Sequence, residues 1–408
     1  MNKMFKYNIL FVLFVFISAI SIKKCIEVDA ASKVINVKDY GAVGDGINDD
    51  TDAINLALKQ NTGKKIYFPT GVYLISEKIN VLSNTTIIGE GANSVILAAE
   101  GKKAGTEIFQ LNNVQNVDIT GICISGNSSV NYGNDYNDID GIHMFDMWNA
   151  ENVQIKNCYF IDNIYCAIRI FGGKQICIAE STFLNVDCGI VALGNENVYD
   201  LTISQCYFNG HKNSEAISLY GRGTYEKITI VGNNIENKTF GHGILLNDQS
   251  INKDISITEN TISNCAVGIS AFMVSSGLIE NNAIIGTTSG RGMEIYNCNK
   301  IYVKNNEITD TNFDSLSIKN CDMSAFTNNN ILISSNAKNK NMTGIRVNGI
   351  CTGVVVSNNL IKRMGNSLSQ YGICVDSNGS VRVADNSIGN MPIYISESSR
   401  GVNIENNK

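Results

Sequence analysis

Short runs of alternating apolar and polar residues recur along the chain, and nearly the same phrase returns many times. The phrase combines a β-branched residue, two polar residues, Asn, one variable residue and Ile, as in ISITENTIS, IVGNNIEN, VKNNEITD and VSNNLI. The residue two before the final Ile or Phe marks each copy, and the markers are Cys158, Ser181, Cys206, Asn233, Asn260, Asn282, Asn306, Asn329, Asn359, Asn386 and Asn407. Neighbouring markers lie 21 to 30 residues apart, which gives a structural period of about 25 residues.

This period predicts the fold class. Each period holds short alternating runs and no helical periodicity, so a repeat built from helix pairs is excluded. Three short strands per period are typical of one coil of an all-β, single-stranded, right-handed parallel β-helix, in which equivalent residues of successive coils stack about 4.8 Å apart. The repeated Asn predicts a ladder of amides at a bend, because Asn amides can bond along the axis and Asn tolerates a left-handed backbone.

The two ends of the chain differ in character. Lys3 and Lys6 precede an apolar run of signal-peptide length, and small or apolar residues follow at Val28 and Ala30. We therefore predict a secretory signal peptide over residues 1–30, with an uncleaved anchor helix as the alternative, and a secreted or cell-surface protein whose β-helix domain covers residues 33–408.

A cap is expected only at the beginning of the β-helix. The segment Asp49–Asn61 has acidic residues at its start and apolar Ile54, Leu56, Ala57 and Leu58, which predicts a short helix over the N-terminal end of the core. The C-terminal residues show no comparable pattern, and Lys408 falls in the middle of a coil. This fits either an end-to-end contact between molecules or a shortened reading frame.

Charge and cysteine content narrow the possible functions. Without residues 1–30, 28 basic and 36 acidic side chains leave a formal charge of −8, so nucleic acid and anionic membranes are poor partners. No second apolar run of spanning length follows the first. Eleven cysteines remain and no CxxC occurs, which favours small buried side chains over metal or redox roles.

Residues 33–98 carry a more specific signal than the repeat does. The stretches VINVKDYGAVGDGINDDTDAINLAL, IYFPTGVYLIS and TTIIGEG closely resemble the opening of the pectate-lyase superfamily, which includes polygalacturonases, rhamnogalacturonases, alginate epimerases and phage tail-spike depolymerases. The resemblance implies a β-helix that acts on polysaccharides, without fixing the reaction. Gly41, Gly44 and Gly46 form a turn in this resemblance and lack the Lys-Ser/Thr of a phosphate loop.

The copies differ most along one strand of each coil, which begins with a "G-I-x-φ-x" pattern. If Ile142 and its equivalents point inward, the next residues point outward. The first outward column is then His143, Arg169, Val191, Ser218, Leu245, Ser270, Glu294, Ser317 and Arg346. The second is Phe145, Phe171, Leu193, Tyr220, Asn247, Phe272 and Tyr296. The residues before the strand are Asp140, Cys166, Cys188, Glu215, His242, Val267, Arg291 and Asp314.

These columns supply the candidate site, in the first four coils. The candidate catalytic residues are Asp140, His143, Arg169, Asp187 and Glu215. The candidate substrate-binding residues are Phe145, Phe171, Tyr220, His242, Tyr132 and Tyr136, the last two from an insertion over Asn127–Asn137. Aromatic side chains can stack on the apolar face of a sugar, although a satellite cluster beneath long loops is the alternative.

The resemblance to polygalacturonases is incomplete at this site. It would place Asp140 at the catalytic aspartate, but Tyr165 and Cys166 stand where that family has a pair of aspartates. The Gly-His-Gly around His242 lies four coils after Asp140, where the family has it after two. The Asp-Pro-His motif of alginate epimerases is absent.

Three functions remain open at this point. One is a lyase or epimerase on a uronic-acid-containing polysaccharide, with His143 as base and Arg169 or Ca²⁺ as the cation. The ion would be held by Asp140, Asp187 and Glu215; no other cofactor is predicted. The others are a glycoside hydrolase using Asp140 with Asp187 or Glu215, and a non-catalytic glycan-binding or surface protein.

Overall fold

The computed structural model describes residues 34–101, 106–131, 142–210, 214–333, 342–363, 365 and 371–408. The predicted signal peptide and the candidate residues Tyr132, Tyr136 and Asp140 lie outside these ranges. No helix within them is both long enough and apolar enough to cross a membrane.

Strands account for most of the described residues. The first eighteen are Ile35–Asn36 (β1), Asp45–Asp49 (β2), Lys65–Phe68 (β3), Gly71–Ile75 (β4), Ile79–Asn80 (β5), Thr86–Gly89 (β6), Ser94–Ala98 (β7), Glu107–Asn112 (β8), Gln115–Thr120 (β9), Cys123–Ser125 (β10), His143–Lys156 (β11), Tyr159–Ala179 (β12), Thr182–Gly194 (β13), Val198–Ser204 (β14), Tyr207–Asn209 (β15), Ile217–Gly221 (β16), Thr224–Val231 (β17) and Asn234–Glu236 (β18). The others are His242–Leu246 (β19), Ile251–Thr258 (β20), Thr261–Cys265 (β21), Val267–Phe272 (β22), Gly277–Glu280 (β23), Ala283–Thr287 (β24), Met293–Tyr296 (β25), Ile301–Lys304 (β26), Glu307–Thr309 (β27), Leu316–Lys319 (β28), Ala325–Thr327 (β29), Asn330–Ile333 (β30), Thr343–Gly349 (β31), Val354–Ser357 (β32), Leu360–Arg363 (β33), Tyr371–Ala384 (β34), Ile393–Ile395 (β35) and Arg400–Glu405 (β36).

The strands form a parallel β-solenoid of about 13 turns, so the predicted β-helix is confirmed. A representative coil runs through β16, β17 and β18, and each of these strands pairs in parallel with its counterpart three strands later. The three positions define a first, a second and a third sheet around a core of Ile, Val, Leu and Phe. The longest strands, such as β12, continue across the bends from one sheet into the next.

The bend between the second and third sheets carries the predicted amide ladder, which is confirmed. The side-chain nitrogen of Asn233 donates to the side-chain oxygen of Asn260 at 2.9 Å, and Asn260 donates in the same way to Asn282. The pattern continues at 2.9–3.0 Å through Asn306, Asn329, Asn359, Asn386 and Asn407. Each amide is both donor and acceptor, so identical side chains satisfy one another along the axis.

One detail of the ladder differs from the expectation. The left-handed backbone belongs to the residue before each ladder Asn, as at Glu259 (φ 59°) and Asn281 (φ 55°). The turn is therefore made one residue earlier, and this leaves the ladder Asn free to point its amide into the bend.

The N-terminal cap is helix α1, Thr51–Gln60, as predicted to within two residues. Ile54, Ala57 and Leu58 pack into the core, whereas Leu56 is exposed. The buried Asp50 carboxylate accepts hydrogen bonds from the main-chain nitrogens of Val43 (2.6 Å) and Gly44 (3.1 Å), which fixes the preceding turn against the start of the helix. Two short 3₁₀ helices, Val37–Tyr40 and Gly91–Asn93, complete the helical elements of the described residues.

The first sheet begins in a different register from the one expected. Phe145, not Ile142, pairs with Ile168, so Asp146 pairs with Arg169. Phe145 is fully buried and stacks on Phe109 with ring centroids 4.8 Å apart, so its predicted role in binding sugar is wrong. Ile142 and Phe145 are both apolar and could each occupy the inward position. The stacking of Phe145 on Phe109 selects Phe145.

Candidate functional site

The observed register sets a new column at the bend between the third and first sheets, which we call the leading column. Its members lie two residues before the inward residue of each first-sheet strand: His143, Cys166, Cys188, Glu215, His242, Val267, Arg291, Asp314, Thr343 and Tyr371. Five groups that can exchange protons therefore follow one another from His143 to His242. Four rungs of a parallel sheet make this stretch about 19 Å long.

His143 and Arg169 contact each other although they do not share a column. Nη1 of Arg169 lies 2.8 Å from Nε2 of His143, and Nε of Arg169 lies 2.6 Å from Oδ1 of Asp146. A guanidinium group can only donate, so Nε2 of His143 is the acceptor and Nδ1 carries the proton. His143 is only 3% exposed, so the prediction that it points outward is wrong.

Asp146 is a residue that sequence reasoning missed. Its second carboxylate oxygen accepts a hydrogen bond from the indole nitrogen of Trp148 at 2.8 Å. The signal was present in the sequence, because Asp146 follows Phe145 as Arg169 follows Ile168. Asp146 could be recognised as the partner of Arg169 only if Phe145, rather than Ile142, was taken as the inward residue.

Trp148 takes the aromatic position that was assigned to Phe145. Its ring stacks on Phe171 with centroids 4.0 Å apart, and the guanidinium carbon of Arg169 lies 4.9 Å from the Phe171 centroid. Trp148 is 39% exposed, and Tyr220, two rungs beyond Phe171, is 50% exposed. These rings present flat apolar surface beside charged groups, which is the combination that a sugar ring requires.

Glu215 and His242 form a pair on adjacent rungs. Oε1 of Glu215 lies 3.4 Å from Nδ1 of His242, and the Ser214 hydroxyl donates to Oε2 at 2.9 Å. Burial raises the pKa of Glu215, but the neighbouring His242, its own main-chain N–H and the Ser214 hydroxyl outweigh burial and hold the pKa below its usual value. Nδ1 of His242 is buried and makes no hydrogen bond, so the pair is an electrostatic contact between a carboxylate and an imidazole that are both about a quarter exposed.

A buried lysine lies beneath this part of the column. Nζ of Lys238 donates to the main-chain oxygens of Val186 (2.6 Å) and Asp187 (2.7 Å), and burial lowers the pKa of Lys238. Asp187 itself is half-buried. The lysine was missed because the loop that holds it interrupts the repeat.

The calcium prediction gains no support from the described residues. Within them, no group of three or more His, Cys, Asp and Glu side chains is arranged to hold a metal ion. One of the three proposed ligands, Asp140, lies outside the described ranges, so the calcium site stays a prediction.

A second charged cluster lies further along the same column. Oδ2 of the buried Asp314 lies 2.7 Å from Nε of Arg346, and Oδ1 accepts from the Thr343 hydroxyl at 3.0 Å. Nη1 of Arg291 donates to Glu294 at 2.8 Å, and its Nε lies 3.5 Å from Asp314. Two cations and two carboxylates balance, so this cluster is formally neutral. The sequence columns contained four of these residues, but the candidate site stopped before them.

Residues 34–300 match the family model described as rhamnogalacturonase A/epimerase, pectate lyase-like. The chain belongs to this family. Residues 242–408 also match the model of a right-handed β-helix region. The resemblance read from residues 33–98 is therefore confirmed.

Two curated relatives show how far sequence similarity extends. Plasmin and fibronectin-binding protein A of Streptococcus pneumoniae is 29% identical over 182 residues, which cover 40% of this chain and 25% of that protein. The SPbeta prophage-derived protein YomE of Bacillus subtilis is 27% identical over 204 residues, covering 47% of this chain and 30% of that protein. The matches thus span about a quarter to a third of these relatives.

Solved structures with a similar fold align with nearly the whole chain. The A-module of mannuronan C-5 epimerase AlgE4 from Azotobacter vinelandii has a TM-score of 0.55 at 14% identity, covering 91% of this chain and 100% of the module. The surface protein and adhesin PfbA of Streptococcus pneumoniae has a TM-score of 0.58 at 20% identity, covering 92% and 100%. An exopolygalacturonase from Thermotoga maritima has a TM-score of 0.51 at 12% identity, covering 90% and 93%. At these identities the likeness shows the fold alone.

Proposed function

We propose that this protein is secreted or displayed at the cell surface and acts on a uronic-acid-containing polysaccharide as a lyase or epimerase. The Glu215–His242 pair is the observation that carries the proposal. Both reactions begin when a base removes the proton α to a uronate carboxylate, and a partly exposed imidazole beside a carboxylate is suited to that task. His242 replaces His143 as the base, because Nε2 of His143 already accepts a hydrogen bond from Arg169.

The aromatic rings and Arg169 support binding of an acidic glycan along the same face. Two of the five N–H groups of Arg169 point to Asp146 and His143, which leaves donors for a sugar carboxylate. Trp148 and Phe171 offer a stacked platform beside it. A bound Ca²⁺ remains the candidate for stabilising the carboxylate at the reacting sugar.

A non-catalytic glycan-binding or surface protein is the second candidate. The closed network of Arg169, Asp146 and His143 favours it, because three groups that could do chemistry are engaged with one another. The relative described as an adhesin fits the same alternative. The hydrolase alternative depends on Asp140, which lies outside the described residues.

The test is incubation of the protein without residues 1–30 with a panel of pectic and alginate-type polymers, with and without Ca²⁺. A lyase gives the ultraviolet absorbance of unsaturated ends, and an epimerase changes the proton spectrum of the uronates without cleavage. Loss of that activity in His242→Gln supports the proposal. New reducing ends without absorbance indicate a hydrolase, and retention of polymer without products indicates a binder; either result overturns it.

A further inference from the structure

The eleven cysteines of the described residues differ in their surroundings. Six are buried at bends and donate their S–H groups to main-chain carbonyls: Cys158, Cys206, Cys265, Cys298, Cys321 and Cys351. Burial raises the pKa of Cys265 to about 11 and that of Cys206 to about 12. Thiols in such surroundings are inert.

Cys166 has different surroundings. It is half-buried and lies in the leading column between His143 on one rung and Cys188 on the other. Cys166 and Cys188 are direct partners in the parallel register, so their Cα atoms are about 4.8 Å apart, within the 4.4–6.8 Å range of disulfides. A shift in register just before Cys166 lets the strand bulge at this point.

The groups around Cys166 favour a thiolate. Nδ1 of His143 is buried and makes no hydrogen bond, and the Cys166 thiol is close enough for His143 to influence its pKa. The Cys188 thiol, His143 and Arg169 lie around that sulfur, and together they lower the pKa of Cys166. The pKa of Cys188, which faces Cys166, Glu215 and Lys238, is raised because it holds the shared proton and is buried.

We infer that Cys166 is a reactive thiolate which, with Cys188, forms an oxidisable dithiol that reacts with low-molecular-weight disulfides and soft electrophiles. The Cys166 thiolate attacks one sulfur of a disulfide RSSR, forms a mixed disulfide and releases RS⁻. Cys188 then loses its proton and attacks the Cys166 sulfur, which releases the second RS⁻. Two electrons pass from the dithiol to RSSR, the Cys188 proton ends on one released RS⁻, and the other RS⁻ takes from solvent the proton that was lost when Cys166 ionised.

This couple lies inside the proposed polysaccharide site but does not depend on that site's activity. Forming the disulfide removes the thiolate charge beside His143 and Arg169, and it removes the thiol proton of Cys188 beside Glu215. Oxidation should therefore change the surroundings of both His143 and Glu215.

The first test is pulsed alkylation of the reduced protein by iodoacetamide between pH 5 and pH 9, with peptide mapping by mass spectrometry. Cys166 should react with a midpoint below the ordinary thiol value of about 8.5, while the six buried cysteines stay unlabelled until the chain unfolds. His143→Gln should move the midpoint upward, and circular dichroism checks that this variant is folded. A midpoint at or above about 8.5 in the unmutated protein contradicts the inference.

The second test separates the two cysteines with oxidised glutathione. The unmutated protein should end with a Cys166–Cys188 disulfide, whereas Cys188→Ser should stop at a glutathione adduct on Cys166. Cys206→Ser is the matched control and should behave like the unmutated protein. A persistent adduct in the unmutated protein, or a disulfide that excludes Cys166, overturns the dithiol.

Discussion

Two of the three bends of each coil have the same spacing between rungs and opposite chemical character. At the bend between the second and third sheets, seven successive steps from Asn233 to Asn407 repeat one amide contact. At the bend between the third and first sheets, the leading column changes from imidazole to thiol to carboxylate within four rungs.

The difference teaches where to look for function in a repeated fold. An amide can bond to a copy of itself, so one side chain can serve every coil. Charged groups of one sign cannot stack at this spacing without repulsion, so a column that contains them must vary or pair. A polar column whose members vary can therefore make contacts in addition to those that hold the coils together.

The largest expected change in stability tests whether the network around Arg169 stabilises the fold, as the amide ladder does. Asp146 and Arg169 form a buried cross-rung pair, and Glu151 and Lys174 form an exposed pair on the same two strands. Arg169→Ala leaves a buried carboxylate without its cation and should lower the free energy of unfolding by about 3–5 kcal/mol. Lys174→Ala should lower it by about 0–1 kcal/mol.

Urea denaturation of both variants measures this difference. If the two variants lose equal stability, Asp146 is not held by Arg169. A large loss only for Arg169→Ala also warns that activity lost in this variant is not evidence of a catalytic role.

The next effect tests the ladder itself. Asn329 accepts hydrogen bonds from the main-chain and side-chain nitrogens of Asn306, whereas its neighbour Asn330 is exposed. Asn329→Ala leaves the main-chain N–H of Asn306 without its acceptor, which should lower the free energy of unfolding by about 1–3 kcal/mol. Asn330→Ala, the matched control, should change stability by less than about 0.5 kcal/mol. Thermal and urea unfolding report both values; equal losses would show that the ladder does not stabilise the coils.

The smallest effect concerns the acid sensitivity of the leading column. Because the pKa of Glu215 is lowered in the folded protein, its ionised form stabilises the fold above the unfolded value of about 4.3. That stabilisation is lost as the pH falls through the lower folded value. The free energy of unfolding of Glu215→Gln should therefore be lower than that of the unmutated protein at pH 6–7. The two values should converge below a pH of about 4. Glu151→Gln controls for the change in net charge, and a difference that does not depend on pH contradicts the assignment.

The repeat was sufficient to predict the solenoid, the amide ladder and the capping helix. The solenoid follows from the repeat period, the ladder from the residue at the bend, and the helix from the spacing of apolar residues. Patterns of this kind can be recognised without knowledge of the tertiary contacts. The ladder was found because Asn233 and its counterparts are chemically identical.

The candidate site was predicted less well because it depends on one register. Ile142 and Phe145 both fit the inward position, and only the contact with Phe109 selects Phe145. With Phe145 inward, His143 joins the leading column, Asp146 becomes the partner of Arg169, and Trp148 becomes the partner of Phe171. Glu215 and His242 were placed correctly relative to each other, since the coils that hold them follow the repeat without an ambiguous residue.

The central claim is that the first sheet, together with the leading column, binds the polysaccharide and that the second and third sheets do not. Tyr220 lies on the first sheet and Tyr302 on the second sheet, and each is 50% exposed. The most direct measurement is the dissociation constant of the polymer selected by the panel for Tyr220→Ala and Tyr302→Ala. The account predicts about a 5- to 30-fold weakening, equivalent to about 1–2 kcal/mol, for Tyr220→Ala and no change for Tyr302→Ala. Equal affinities for both variants and the unmutated protein, or a loss only for Tyr302→Ala, would contradict it.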